Sequence, residues 1–341
     1  MKNIIIGGAG FIGSNLANRL LEKKQEVVVA DDLSRSGSEK NLGWLNSKFP
    51  RKLSFLKIDI TKNPEKLKES LKSADRVFHL AAQVAVTTSV EKPRRDFEIN
   101  ALGTFNVLET IRKYGSKNLS LLYSSTNKVY GGMDEVKIME KANAYAYKDF
   151  PNGIPENQPL DFHSPYGCSK GSGDQYVRDY FRIYGMKTIV FRQSCIYGPR
   201  QFGIEDQGWV AWFIIALLTN KKITIFGDGK QVRDVLFVDD LLDAFEKATE
   251  NINKTQGEVF NIGGGKDNTI SIWKDFKVIL ESLSKKKLLA RQADWRPGDQ
   301  KIYISDIRKA QRSFGWKPKT PPQQGIEKLY NWVLENLNLF K

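Results

Sequence analysis

Lys2-Asn3-Ile4-Ile5-Ile6-Gly7-Gly8-Ala9-Gly10-Phe11-Ile12-Gly13 decides the fold. The first five residues read as a short apolar strand. A glycine turn follows, then an amphipathic helix with Phe11, Ile12, Leu16, Ala17, Leu20 and Leu21 on its inner side. A second strand, Glu26 to Ala30, ends in Asp31-Asp32. Strand, glycine turn, helix, strand and acid together make a dinucleotide site of what is otherwise only a tight loop. Gly7 lets the chain turn, Gly10 lets the backbone approach a pyrophosphate, and Gly13 lets helix and strand pack closely. The pyrophosphate is expected on the amides of the helix amino terminus, where Phe11 and Ile12 begin. Asp31 is placed for the adenosine ribose. A 2′-phosphate would meet its carboxylate, so NAD is expected rather than NADP, with Arg35 a counter-signal.

Three later strands keep the rhythm. Leu53 to Lys57 leads to Asp59-Ile60, Arg76 to Leu80 leads to Ala81-Ala82-Gln83, and Leu119 to Tyr123 leads to a Ser/Thr cluster. Strand alternating with helix implies an α/β fold, a doubly wound parallel (Rossmann) sheet. Asp59 is a candidate for the adenine amino group, and Ala81 and Ala82 are small enough to let a cofactor pass. Ile60, Leu80, Gln83 and Asn100 complete the expected cofactor contacts.

The cluster Ser124-Ser125-Thr126-Asn127-Lys128-Val129-Tyr130-Gly131 ends a strand, where open α/β sheets bind ligands. Tyr166-Gly167-Cys168-Ser169-Lys170 opens a helical pattern. Tyr166 and Lys170 are four apart and share a helix face. On spacing alone that is a solvated polar face; beside a dinucleotide turn it is a candidate active site. An ammonium near a phenol is expected to pull the phenol toward neutrality, making Tyr166 a usable acid or base. Thr126, with Ser125, is then placed to bond an oxygen that becomes a ketone, and Lys170 to hold the nicotinamide ribose.

Composition narrows the class. The 341 residues suit one domain of two lobes, or two domains. No apolar run reaches the roughly 18 residues of a membrane span. Met1-Lys2-Asn3 runs straight into a strand, so no signal peptide is expected. Cys168 and Cys195 lack metal-ligand spacing, so no metal and a reduced, cytoplasmic setting are expected. The net charge of +14 is scattered and no reader motif accompanies it, so nucleic acid is not an expected partner. Arg233 and Arg296 each suit bidentate phosphate binding. Trp209, Trp212 and Phe213 read as core or a subunit contact before a base-stacking platform. The long connection from Gly131 to Ser164, with Tyr145 and Tyr147, reads equally as a lid or as a surface excursion.

The chain resembles the extended short-chain dehydrogenase/reductases acting on nucleotide sugars. Within them it is similar to the CDP-tyvelose (CDP-paratose) 2-epimerases. The closer likeness lies in His79-Leu80-Ala81, Gln83-Val84-Ala85, Thr87-Thr88-Ser89, Ser124 to Gly131, Asp161 to Gly171, Tyr197-Gly198 with Arg200-Gln201-Phe202, Asp206 to Val210 and Gly229 to Leu236. Ile6 departs from the family's threonine before the first glycine.

The resemblance implies an NAD-binding domain over 1–192, to which 234–260 returns, and a smaller interleaved nucleotide-sugar lobe over 193–341. It implies catalysis by Thr126, Tyr166 and Lys170, with Ser125, Thr126, Asn127, Gln201, Arg233, Arg296 and Asp299 on the substrate. A 4,6-dehydratase would carry an acidic pair, or a glutamate, after the threonine; Asn127 and Lys128 stand there. The absent pair speaks against dehydration; the resemblance itself implies epimerisation at C2 of a CDP-3,6-dideoxyhexose, as in O-antigen biosynthesis, and a homo-oligomer. The residue chemistry leaves C2 against C4 open. A UDP-hexose 4-epimerase is the alternative, and an inactive dinucleotide-binding scaffold a remoter one.

Overall fold

The computed structural model describes residues 1–296 and 299–340. The chain divides into two compact units. Unit 1 is Met1–Val129, Ser164–Arg192 and Phe245–Phe260; unit 2 is Tyr130–His163, Gln193–Ala244 and Asn261–Lys341. Residues 130–163 therefore group with unit 2, and unit 1 resumes at Phe245.

Unit 1 is built on β1 (Lys2–Ile6), β2 (Glu26–Asp31), β3 (Leu53–Lys57), β4 (Arg76–His79), β5 (Ser120–Thr126), β6 (Lys187–Gln193) and β7 (Val259–Ile262). Their order is β7-β6-β5-β4-β1-β2-β3. Neighbours from β5 to β3 pair parallel; Ile4, for example, lies opposite Val28 on one side and Val77 on the other. Ile4, Ile5, Val29, Val77, Phe78 and Leu122 are fully buried. Such continuous apolar runs mark strands covered on both faces. The chain leaves β1 for β2 on one side and reaches β4 on the other, so the switch point of the sheet lies beside β1.

β5 runs three residues beyond the expected Tyr123, so Thr126 is its last residue. Helix α1 (Phe11–Glu22) buries Leu16, Ala17, Leu20 and Leu21, while Phe11 and Ile12 stay half-buried at its start. Three further helices matter: α2 (Pro93–Phe97), α3 (Gly103–Tyr114) and α4 (Pro165–Tyr184). Ser164 caps α4 by accepting the Gly167 N–H at 3.0 Å, Pro165 occupies its first turn, and Gly185, at φ +65°, ends it. A Cβ on Gly173 would stand 2.5 Å from the Tyr123 hydroxyl, so glycine lets α4 lie close on β5.

In unit 2, Val232–Asp234 pairs with Thr269–Ser271 and Ile302–Tyr303, and Ile223–Phe226 pairs with Ala290–Ala293. Trp209 and Phe213 pack on Phe276, with ring centroids 5.1 and 5.9 Å apart, so this aromatic run is core. Tyr145 and Tyr147 are buried and donate to Asp228 (2.5 Å) and the Ile302 carbonyl (3.1 Å), which fastens the long connection within unit 2. Among the described residues no helix is long and apolar enough to cross a membrane.

Candidate active site

The glycine turn is shaped by what a side chain would hit. Gly7 has φ +81°, and a Cβ there would come within 2.5 Å of the Ala81 nitrogen. A Cβ on Gly13 would come within 2.3 Å of the Gly7 carbonyl oxygen. The turn is thus pressed between the exit of β4 and the first turn of α1. Gly10, the N-cap of α1, is extended and brings no side-chain cap, which leaves first-turn amides to an outside anion. Asp31 ends β2, nearly buried; it accepts from Ala9 N (3.0 Å) and Leu33 N (2.8 Å). Burial raises its pKa against the pull of those two N–H groups. This cradle fits a dinucleotide: a bare helix start, two glycines without room for a Cβ, and a carboxylate at the next strand end.

Around it stand the other expected cofactor residues. Asp59 accepts the Thr61 N–H (2.9 Å) and hydroxyl (2.7 Å) and lies 3.3 Å from the Lys62 ammonium. Ile60 is buried, and its carbonyl accepts from Asn106. Leu80, Ala81, Ala82 and Gln83 are half-buried along the exit of β4. Asn100 is buried and clasps the backbone of Gln83, accepting its N–H at 2.9 Å and donating to its carbonyl at 3.0 Å.

Thr126, Tyr166 and Lys170 come together at the end of β5. The Thr126 hydroxyl accepts the Lys128 N–H at 3.2 Å and faces the Tyr166 phenol, whose phenolate it favours. Lys170 is 2% exposed; its ammonium donates to the Ser124 carbonyl at 2.5 Å and lies 4.1 Å from the centre of the Tyr123 ring. The expected effect of Lys170 on the phenol is corrected here. Burial pushes Tyr166 up to about 12, outweighing Thr126 and Arg35, which favour the phenolate. Burial also pushes Lys170 down to about 7, against the support of Asp174 and Asp96. The ammonium is turned to a backbone carbonyl, and desolvation penalises the charged form of both groups.

Ser125 is diverted from a ligand. Its hydroxyl donates to Asp174 at 2.8 Å, and Asp174 is bound by Arg192 through Nε (2.9 Å) and a terminal nitrogen (3.0 Å), all buried. Asn127 is 7% exposed, its side-chain oxygen 3.4 Å from the Thr126 hydroxyl. The pattern Tyr166, Lys170, Asp174 at four-residue steps made Asp174 findable; no local signal pointed to Asp96, Ser169 or Arg192.

The remaining substrate candidates gather within unit 2. Arg233 is buried and ion-paired with Asp299 at 2.7 Å, and it donates to the Val232 and Gln300 carbonyls. The Asp299 N–H donates to the Arg296 carbonyl at 3.1 Å. Arg296 covers the Phe226 ring at 3.7 Å, pairs with Asp206 at 3.1 Å and donates to the Glu205 carbonyl. Gln201, 4% exposed, donates to Ile196 O at 3.3 Å, and its side-chain oxygen has no partner among the described residues. Both guanidinium groups thus already hold acceptors of the protein.

Comparison with known proteins matches residues 4–329 to the family model described as GDP-mannose 4,6 dehydratase. A CDP-paratose 2-epimerase of Salmonella typhi is 44% identical over 339 residues, 98% of this chain and 99% of that one. The solved UDP-glucose 4-epimerase of Thermotoga maritima, with UDP-glucose, is 34% identical with a TM-score of 0.82, covering 99% of this chain and 100% of that one. A UDP-glucuronic acid 4-epimerase of Bacillus cereus, solved with UDP-glucuronic acid and NAD, is 30% identical with a TM-score of 0.81 over 99% and 100% of the two chains.

Proposed function

The chain belongs to the family described as GDP-mannose 4,6 dehydratase, and from that premise we propose that it is an NAD-dependent nucleotide-sugar epimerase interconverting CDP-paratose and CDP-tyvelose at C2. The observation that carries this reading is Thr126 at the end of β5 facing the buried Tyr166 phenol, followed by Asn127 and Lys128 rather than carboxylates. Oxidation needs one acid/base and one oxygen-binding group; expulsion of water needs a further acid and base, and this position has none. The near full-length likeness to a CDP-paratose 2-epimerase supports C2 and the CDP carrier.

Unit 1 holds the dinucleotide through Gly7, Gly10, the first turn of α1 and Asp31. The chemistry that NAD supplies when bound is reversible hydride acceptance. Tyr166 in its phenolate form, which Thr126 and Arg35 favour against burial, takes the proton of the C2 hydroxyl during oxidation and returns it on reduction. Thr126 bonds the same oxygen, and Lys170 orients the nicotinamide ribose. Asn127 contacts the sugar and helps select C2. Arg233, Arg296, Gln201 and Asp299 serve the nucleotide diphosphate; for phosphate to enter, Arg233 and Arg296 exchange part of their present acceptors for it. The enzyme is read as a cytoplasmic homo-oligomer. Phe97, Phe105 and Tyr176, which are 57%, 38% and 48% exposed on α2, α3 and α4, support self-association.

The test uses protein purified without added cofactor. It is denatured to identify the released nucleotide, and native protein is incubated with CDP-paratose while proton spectra are recorded. NAD release with conversion to the 2-epimer is expected. NAD release without conversion overturns the CDP-paratose assignment and directs the test to UDP-hexoses. Tyr166→Phe is expected to lower turnover at least about 100-fold while NAD remains bound; unchanged turnover removes Tyr166 from the mechanism.

A further inference from the structure

Asp96 is 1% exposed on α2, and its carboxylate is held by neutral donors. The Ser169 hydroxyl donates at 2.5 Å, Gln83 Nε2 at 2.9 Å and Asn100 Nδ2 at 3.1 Å. Each donor leads to a working part of the site. Ser169 stands between Tyr166 and Lys170 on α4. Gln83 ends the β4 exit that presses on the glycine turn, and Asn100 clasps its backbone.

The charges around the pair single Asp96 out. Lys170 faces Asp174 on its own helix, Asp96 on α2, His79 on β4, and the Tyr123 ring and Ser124 carbonyl on β5. Tyr166 faces Thr126 and Tyr123 on β5, Arg35 after β2, and Asp96. His79 is neutral, pushed down to about 3 by burial and then by Lys170. Asp174 is matched by the buried guanidinium of Arg192 on β6. Asp96 is the facing carboxylate held by the uncharged donors Ser169, Gln83 and Asn100; burial raises its pKa, and Lys170 favours its charged form, so the two groups are coupled.

We propose that Asp96 is a positioning residue of the reaction: buried on α2, it takes the Ser169 hydroxyl from between Tyr166 and Lys170 on one side and Gln83 Nε2 on the other, and so ties the reacting face of α4 to the β4 exit. This rests on the epimerase reading above. Removing the negative charge lets Lys170 lose its proton at lower pH and lets Tyr166 form phenolate at lower pH. Both limbs of the activity profile therefore move the same way, whichever group governs which limb.

The test compares wild type, Asp96→Asn, Asp96→Glu and Ser169→Ala as NAD-loaded protein. Asp96→Asn is expected to shift both limbs of the kcat/KM profile down by roughly half a unit to one unit. Asp96→Glu keeps the wild-type limbs. Ser169→Ala lowers kcat without moving them. A readout independent of turnover is the titration midpoint of the Lys170 side-chain resonance in lysine-labelled protein followed by NMR; it falls in Asp96→Asn alone. Should Asp96→Asn not fold, Asp96→Ser deletes the charge in its place. Limbs and midpoint coincident with wild type, together with a Tyr166→Phe protein that has lost turnover, overturn the role of Asp96 and leave the epimerase reading standing. A Tyr166→Phe protein with full turnover overturns both.

Discussion

Lys170 carries its burial as a stability cost with a definite pH dependence. Its folded value of about 7 lies below the ordinary lysine value of 10.5. Between those values the unfolded chain binds a proton that the folded chain does not, so stability rises with pH across that window. Below about 7 both states are protonated and the full cost is present. Lys170→Met removes the charge and keeps most of the volume. The variant is expected to be more stable than wild type just below neutrality, by on the order of a few kcal/mol. Its advantage shrinks as the pH approaches about 10. Urea unfolding of both proteins across that range measures it; an advantage independent of pH would contradict the assignment. At this scale the residue types and the spacing of Tyr166 and Lys170 were legible, and their protonation was not. A phenol beside an ammonium reads as activated on paper, but the folded chain turns the ammonium to Ser124 and buries both groups.

The β1-turn-α1 element works because Gly7, Gly8 and Gly13 sit where a Cβ would have no room. Gly7→Ala forces a left-handed φ on alanine and a contact 2.5 Å from Ala81 N. A cost of about 2 kcal/mol or more is expected, with loss of NAD from the purified protein. Gly43 is the contrast. It lies in the helix Ser38–Lys48, and a Cβ there meets nothing within 4 Å. Gly43→Ala is expected to stabilise by roughly 0.5 to 1 kcal/mol through helix propensity and to leave NAD binding unchanged. Thermal melts and nucleotide released on denaturation check both variants. The element was legible almost whole, because its strand, turn and helix signals lie within a few residues of one another. The end of β5 was not: its polar residues Ser124, Ser125 and Thr126 stay in the strand, and two of them face α4, at Asp174 and Tyr166.

For the whole molecule, the exposed aromatics of α2, α3 and α4 bear on assembly. Phe105 and Tyr176 lie edge to face at 5.8 Å. The paired change Phe105→Glu with Tyr176→Glu is expected to convert an oligomer into monomers in sedimentation velocity, with the fold retained by circular dichroism; unchanged sedimentation would remove this face from the assembly. The sequence by itself determined the sheet, the glycine turn, the acid after β2 and the face shared by Tyr166 and Lys170. Each of these depends on neighbours close along the chain, through apolar periodicity, backbone sterics and helical spacing. Only the tertiary structure decided which polar groups the protein uses on itself. It gave Ser125 to Asp174, Arg233 to Asp299, and Asp96 to a serine 73 residues away. It also set the protonation of Lys170 and Tyr166. Those outcomes depend on how much water is removed around each group and on which distant donor fills the space, and packing alone creates both conditions.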